Sequence, residues 1–232
     1  MSQPALLAVA HGSRDPAAAD VVRALARQVR RLAPVLDVRV AFLGHAAPSL
    51  PEELCSTGAG AVVVPLLLST GYHLKADIAG AASSAGARVA DPLGPDELLL
   101  TALTARLGEA GVPEGIPVVL AAAGSSDPSA AGDVQKQAEL LAGLRGAPVL
   151  AAFATAARPT VAEAVAELRD RTGLPVAVAS YLLAPGRFQD QLTVSCADWV
   201  TAPLGEHPAL AGLVIDRYRT AVKAKAPVPS AG

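Results

Sequence analysis

ALLAVAHGSRDP at residues 5–16 returns as PVVLAAAGSSDP at residues 117–128, with Gly12 against Gly124 at an offset of 112. The run ALLAVA (5–10) is continuously apolar, the pattern of a strand covered on both faces. Asp15-Pro16 behind it supplies a helix N-cap and a first-turn proline, and Asp127-Pro128 does the same in the second copy. Working outward, AFLGHAAPS (41–49) returns as AFATAARPT (152–160), and AVVVPLLLSTGYH (61–73) as VAVASYLLAPGRF (176–188). Three blocks recurring in one order predict two homologous lobes.

Between the blocks, apolar residues fall at helical spacing. Val21, Val22, Leu25, Val29 and Leu32 follow the first strand; Val134, Ala138, Leu141 and Leu144 follow its copy. Both sets are expected to face inward. Further strands are predicted at 37–43, 61–64, near Arg88-Val89, and at 118–122, 148–154 and 175–183. Pro65 lacks a ladder donor, so it reads as the end or the edge of its strand. Helices are predicted at 49–57, 74–84, 95–107, 160–171, 187–200 and 208–222. Strand–helix alternation means an α/β fold: two lobes, each a parallel sheet flanked by helices, with a cleft between. The boundary falls in the Gly- and Pro-rich stretch Gly108–Pro117, giving lobes at 1–112 and 113–232.

With 19 basic and 21 acidic residues, the net charge of −2 argues against a general nucleic-acid binder. No apolar run reaches the roughly 20 residues of a membrane helix. Cys55 and Cys196 form no CxxC pattern and read as small buried thiols of a reducing cytoplasm.

The two copies differ in their histidines. His11 faces Ala123 and His73 faces Phe188. In α/β sheets, ligands bind outside the carboxyl ends of the strands. His11 directly follows the first strand, and His73 follows the third at the start of a helix. Two imidazoles kept in one lobe and absent from the other predict one metal site. The partial positive charge of the helix N-terminus favours a neutral, ligating imidazole at His73. Asp77, one turn later, is placed to orient it. His45, also at a strand end, is either a third site residue or an exposed loop residue; His207 reads as a surface residue.

The stretches AHGSRDP (10–16), AFLGHAAPSL (41–50) and VVVPLLLSTGYHLKADI (62–78) resemble the class II tetrapyrrole chelatases, the sirohydrochlorin chelatase and cobaltochelatase family. The first lobe resembles it closely and the second loosely, as in members with two fused halves and one retained site. The resemblance implies insertion of a divalent metal into sirohydrochlorin, a macrocycle with eight carboxylates. Fe2+ leads to sirohaem and Co2+ towards cobalamin. The metal is substrate, and no permanently bound cofactor is expected. The family's metal-binding histidines map onto His11 and His73. Many relatives carry a glutamate where this chain has Gly44, and His45 beside it is the candidate replacement.

Imidazoles bind Fe2+ or Co2+ exchangeably and accept protons near neutral pH. Two ligands leave the open positions that a transferable ion needs, whereas a structural site closes with four. Ser13, Arg14, Ser69, Thr70, Lys75 and Arg187 are the candidate partners of the substrate carboxylates, with Arg158 beside them. Arg14 is equally a helix cap or a local ion-pair partner. Gly12 and Gly71 fit close approach of backbone to a ligand, or turn geometry alone. Phe188 fits an apolar wall or the core. One chain supplies both lobes, which fits a monomer. A non-catalytic carrier of the metal or tetrapyrrole is the alternative. A phosphate-binding module is disfavoured, because GxGxxG and the P-loop lysine are both missing.

Overall fold

A computed structural model describes residues 3–58, 60–69, 71–193 and 195–224, excluding the side chains of 72–75. The first lobe runs β1 (Leu6–Ala10), α1 (Pro16–Leu32), β2 (Val38–Phe42), α2 (Leu50–Thr57), β3 (Val62–Pro65), α3 (Tyr72–Ser84), β4 (Arg88–Val89) and α4 (Leu98–Glu109). The second repeats the order: β5 (Val118–Ala122), α5 (Pro128–Arg145), β6 (Val149–Phe153), α6 (Val161–Thr172), β7 (Ala177–Tyr181), α7 (Arg187–Thr193), β8 (Trp199–Val200) and α8 (Pro208–Lys223). The sheets are parallel with orders β2-β1-β3-β4 and β6-β5-β7-β8, so the two copies share one topology.

The expected N-caps form. Asp15 accepts from Ala17 N at 2.9 Å and Asp127 from Ser129 N at 2.9 Å. α2 and α6 start with capping boxes, in which Glu52 and Glu163 accept the backbone N–H of Ser49 and Thr160 at 2.8 and 2.7 Å. The Thr160 backbone N–H, with the Arg158 guanidinium and the Thr160 hydroxyl, lowers the Glu163 pKa from 4.5 to about 2. A depressed carboxylate adds stability above its unfolded pKa and loses it as pH falls through the folded one. Glu163→Gln is therefore expected to flatten the acid limb of stability between about pH 4.5 and pH 2. Urea unfolding across that window checks it; an unchanged slope contradicts it.

Alternate strand residues serve two cores. Leu6, Ala8 and Ala10 face a central core, and Leu7 and Val9 an outer one beneath α2 and α3. The central core also takes Val118, Leu120 and Ala122 of β5, so it lies between the two sheets. It is filled by helices that exchange sides. α8 packs on α1, α4 and β3 of the first lobe, while α4 packs on β7 and α5 of the second. Polar bonds fix the exchange. Tyr218 Oη donates to Pro4 O at 2.6 Å, and Arg217 to Pro92 O and Asp96 Oδ2, each at 2.7 Å. Arg88 meets the terminal carbonyls of α8 at Ala221 and Val222, where a cation is favoured.

Several expectations need correction. Pro65 ends β3, but β3 is interior rather than an edge. Residues 187–200 do not form one helix: α7 stops at Thr193, and Trp199-Val200 pair with Ala177-Val178 as β8. Thr193, Ser195 and Cys196 are weak helix formers, and the ladder satisfies the backbone instead. α4 starts at Leu98, not Pro95, where Asp96 Oδ1 accepts the Leu98 N–H at 2.8 Å. Leu32 and Leu144 are each 58% exposed, because they lie in last turns beyond Val29 and Leu141, the last buried residues of α1 and α5. Cys55 and Cys196 are exposed, on the outer side of α2 and in a left-handed turn (φ 58°). Among the described residues no helix is long and apolar enough to cross a membrane.

Candidate functional site

At the carboxyl ends of β1, β3, β5 and β7 a cleft of about 500 Å³ opens between the lobes. Its walls come from four loops in two equivalent pairs. A Cβ built on Gly186 would lie 3.7 Å from Ser13 Oγ, and one on Gly71 3.8 Å from Ser125 Oγ. Ser13 and Ser125 are repeat partners, as are Gly71 and Gly186, so the β1 loop meets the β7 loop as the β5 loop meets the β3 loop. This pseudo-two-fold arrangement offers two equivalent half-sites. Each half-site is one lobe's share of the cleft: the first lobe's carries His11, the second lobe's Ala123 and Phe188.

His11 is exposed at the cleft, and its ring has no hydrogen bond among the described residues. Its backbone is fixed: His11 O accepts from Gly44 N at 3.1 Å. The imidazole is thus held on a firm strand end and left free to bind. His73 is the second residue of α3, two positions beyond Gly71, which lines the cleft. The His73 and Lys75 side chains lie outside the described residues, as does all of Thr70. Asp77 is exposed on α3.

Gly12 has φ 88°, and a Cβ there would stand 1.7 Å from Gly44 O. Gly124 repeats this against Thr155 O at 1.8 Å. Of the two readings of Gly12, close approach to a ligand or turn geometry, the contact with the neighbouring loop favours the second. Because both copies need the glycine, it belongs to the fold. At Gly44 a Cβ would meet nothing within 4 Å, so the backbone does not exclude a glutamate there. His45 has φ 60° and is exposed, and it is not part of the cleft wall. Ala156, its repeat partner, has φ 59°, so the left-handed turn is common to both lobes and is no mark of a ligand.

Ser13, Ser69, Arg187 and Phe188 line the cleft; Arg14 and Arg158 do not. Ser13 Oγ accepts the Asp15 N–H at 3.1 Å and keeps its own proton to donate. Arg187 is exposed and has no ion-pair partner among the described residues. Arg14 is exposed and unpaired among them; Asp15, not Arg14, caps α1. Arg158 pairs with Glu163 instead of closing over the cleft. His207 is more than a surface residue: its Nδ1 accepts the Ala209 N–H at 3.2 Å and caps α8. Burial and the nearby Arg106 lower its pKa. The sequence signal was there, since Pro208 follows it at the first helical position.

Tyr181 escaped sequence reading. It ends β7, is 2% exposed, and donates from Oη to Leu68 O at 2.8 Å across the cleft floor. Burial, with Asp133 and Asp96 nearby, raises its pKa so far that the hydroxyl stays protonated. The bond ties the loop that carries Ser69 and leads into α3 to the opposite lobe. Its signal was a tyrosine where the first copy has Leu66. Tyr181→Phe removes the hydrogen bond to the half-buried Leu68 carbonyl and is expected to destabilise the fold by about 1 kcal/mol. Urea unfolding measures this, and an unchanged midpoint would show the bond to be idle.

Comparison with known proteins follows the same two-part division. A family model described as CbiX matches residues 5–110 and again residues 117–221. Sirohydrochlorin ferrochelatase of Priestia megaterium is 31% identical over 244 residues, covering 95% of this chain and 91% of its own length. Sirohydrochlorin cobaltochelatase of Methanosarcina acetivorans is 30% identical over 123 residues, covering 45% of this chain and 95% of its own length. The solved structure of SirB from Bacillus subtilis with Fe3+ superposes with a TM-score of 0.81 at 28% identity, over 95% of this chain and 96% of that one.

Proposed function

Because the chain belongs to the CbiX family, we propose that it is a sirohydrochlorin chelatase, inserting a divalent metal into the tetrapyrrole within its interlobe cleft. One observation carries this reading: an exposed imidazole, His11, with no partner among the described residues, at the end of a central strand in a cleft of about 500 Å³, in the lobe that kept its histidines.

His11 and His73 act as the metal ligands. Side-chain nitrogen suits both Fe2+ and Co2+ without holding either irreversibly. Insertion requires the ion to leave the protein for four pyrrole nitrogens while two N–H protons depart. An imidazole that has released the ion is free to take one of those protons, so ligand and base are the same group at successive moments. Arg187 with Ser13 and Ser69 hold substrate carboxylates, the guanidinium through charge-assisted hydrogen bonds. Ala123 and Phe188 give the opposite half-site an apolar wall that a macrocycle face can lie against, and no second ligand set competes for the ion. One chain builds both walls, so a monomer suffices. The free thiols Cys55 and Cys196 suit a reducing cytoplasm.

The test is anaerobic absorbance spectroscopy of sirohydrochlorin with Fe2+ or Co2+, with and without protein. Faster metallation at catalytic protein concentration supports the chelatase. A spectral shift that saturates at one equivalent, with no acceleration, would make the protein a carrier.

A further inference from the structure

Beside the cleft, on the outside of the first lobe, a second concavity of about 420 Å³ is lined by Arg23, Arg27, Arg30 and Arg39 together with Val40, Pro48 and Glu53. The three helical arginines stand at i, i+4 and i+7 on α1, so they share one face. Arg39 comes from β2 and is held by Asp37 at 3.1 Å, with Glu53 at 3.7 Å. Arg23 pairs with Asp20 at 3.1 Å. Arg30 donates to Val38 O at 3.0 and 2.6 Å, which fixes the guanidinium without neutralising it. Arg27 has no partner among the described residues. Two of the four guanidiniums, Arg27 and Arg30, therefore pair with no carboxylate among the described residues.

The fold does not require this cluster. The second lobe builds the same helix and strand with Gln135, Glu139, Ala142 and Leu150 at the corresponding positions. The arginines are thus confined to the lobe that kept the histidines. They also adjoin the cleft: Ala18, Ala19 and Val22 of α1 line it, and the Arg23 guanidinium sits 5.8 Å from the ring of Phe42, another wall residue. Among the described side chains of the cleft, Arg187 is the one guanidinium, against eight substrate carboxylates. The chain as a whole carries a net charge of −2, so attraction of an anion has to be local.

We infer that this arginine groove is an outer polycarboxylate site, which captures the acidic substituents of the tetrapyrrole and steers the macrocycle into the adjoining cleft. The inference rests on the chelatase reading for the identity of the ligand, but its test does not. Arg27→Glu reverses an exposed charge, unpaired among the described residues, on a helix that tolerates glutamate. It is expected to lower kcat/KM for metallation about tenfold through KM, with kcat held within about twofold. The difference shrinks as ionic strength rises from about 0.02 to 0.5 M, because the contact is solvent-exposed. Lys136→Glu, the same two-unit charge reversal on exposed α5 of the second lobe, leaves KM as it was. If wild-type protein metallates and Arg27→Glu shows the same KM and salt dependence, the groove is not a capture site and the chelatase reading stands. If wild-type protein does not metallate, fluorescence titration with the octacarboxylate porphyrin uroporphyrin decides. Binding weakened about tenfold in Arg27→Glu supports the groove; equal binding overturns it.

Discussion

His11→Ala is expected to slow metallation of sirohydrochlorin at least about 100-fold, to near the rate without protein, while leaving the fold intact. The magnitude is that of removing a group that both holds the ion and accepts a proton. The structural neutrality follows from geometry: the ring is exposed and makes no hydrogen bond among the described residues, and the strand end is held by His11 O and Gly44 N, atoms that alanine keeps. Loss of stability should stay within about 0.5 kcal/mol, as for a surface substitution. His73→Ala is expected to match it in rate. His45→Ala is the comparison: its side chain lies off the cleft wall, so activity should stay within about threefold. Anaerobic initial rates and urea midpoints on the three variants make the measurement. Normal activity in His11→Ala would remove it from the site, and a large loss in His45→Ala would bring that residue into it.

Gly12→Ala is expected to destabilise the protein by about 3 kcal/mol or more and to impair metallation as well. Positive φ in a non-glycine residue costs about 1–3 kcal/mol. The new methyl, 1.7 Å from Gly44 O, also forces the β1 and β2 loops apart and breaks the bond between His11 O and Gly44 N. Gly124→Ala meets the same obstacle at Thr155 O and should lose comparable stability, without displacing a histidine. Gly44→Ala meets nothing within 4 Å and should stay within about 0.5 kcal/mol. Urea unfolding of the three variants tests the ordering; equal midpoints for Gly12→Ala and Gly44→Ala would contradict it.

Elements written in contiguous residues were readable: the apolar runs of β1 and β5, the Asp-Pro caps, and the register of the repeat that set His11 against Ala123. Errors came where distant residues decide. The helix expected over 187–200 lost its second half to a β8 ladder with Ala177-Val178, about twenty residues earlier in the chain. The Tyr181 hydroxyl reaches a carbonyl 113 residues away, a bond that no local pattern announces.

The amino-acid order by itself determined that the chain is two copies of one α/β unit, and that only the first ends its strands in imidazole. Periodicity and capping act over a few residues, so they are written locally. The tertiary structure alone decided that α4 and α8 trade lobes, that Ser13 meets Gly186 as Ser125 meets Gly71, and that four arginines from α1 and β2 gather beside the cleft. Those outcomes depend on which faces meet once the two sheets share a core, and no local pattern carries that information.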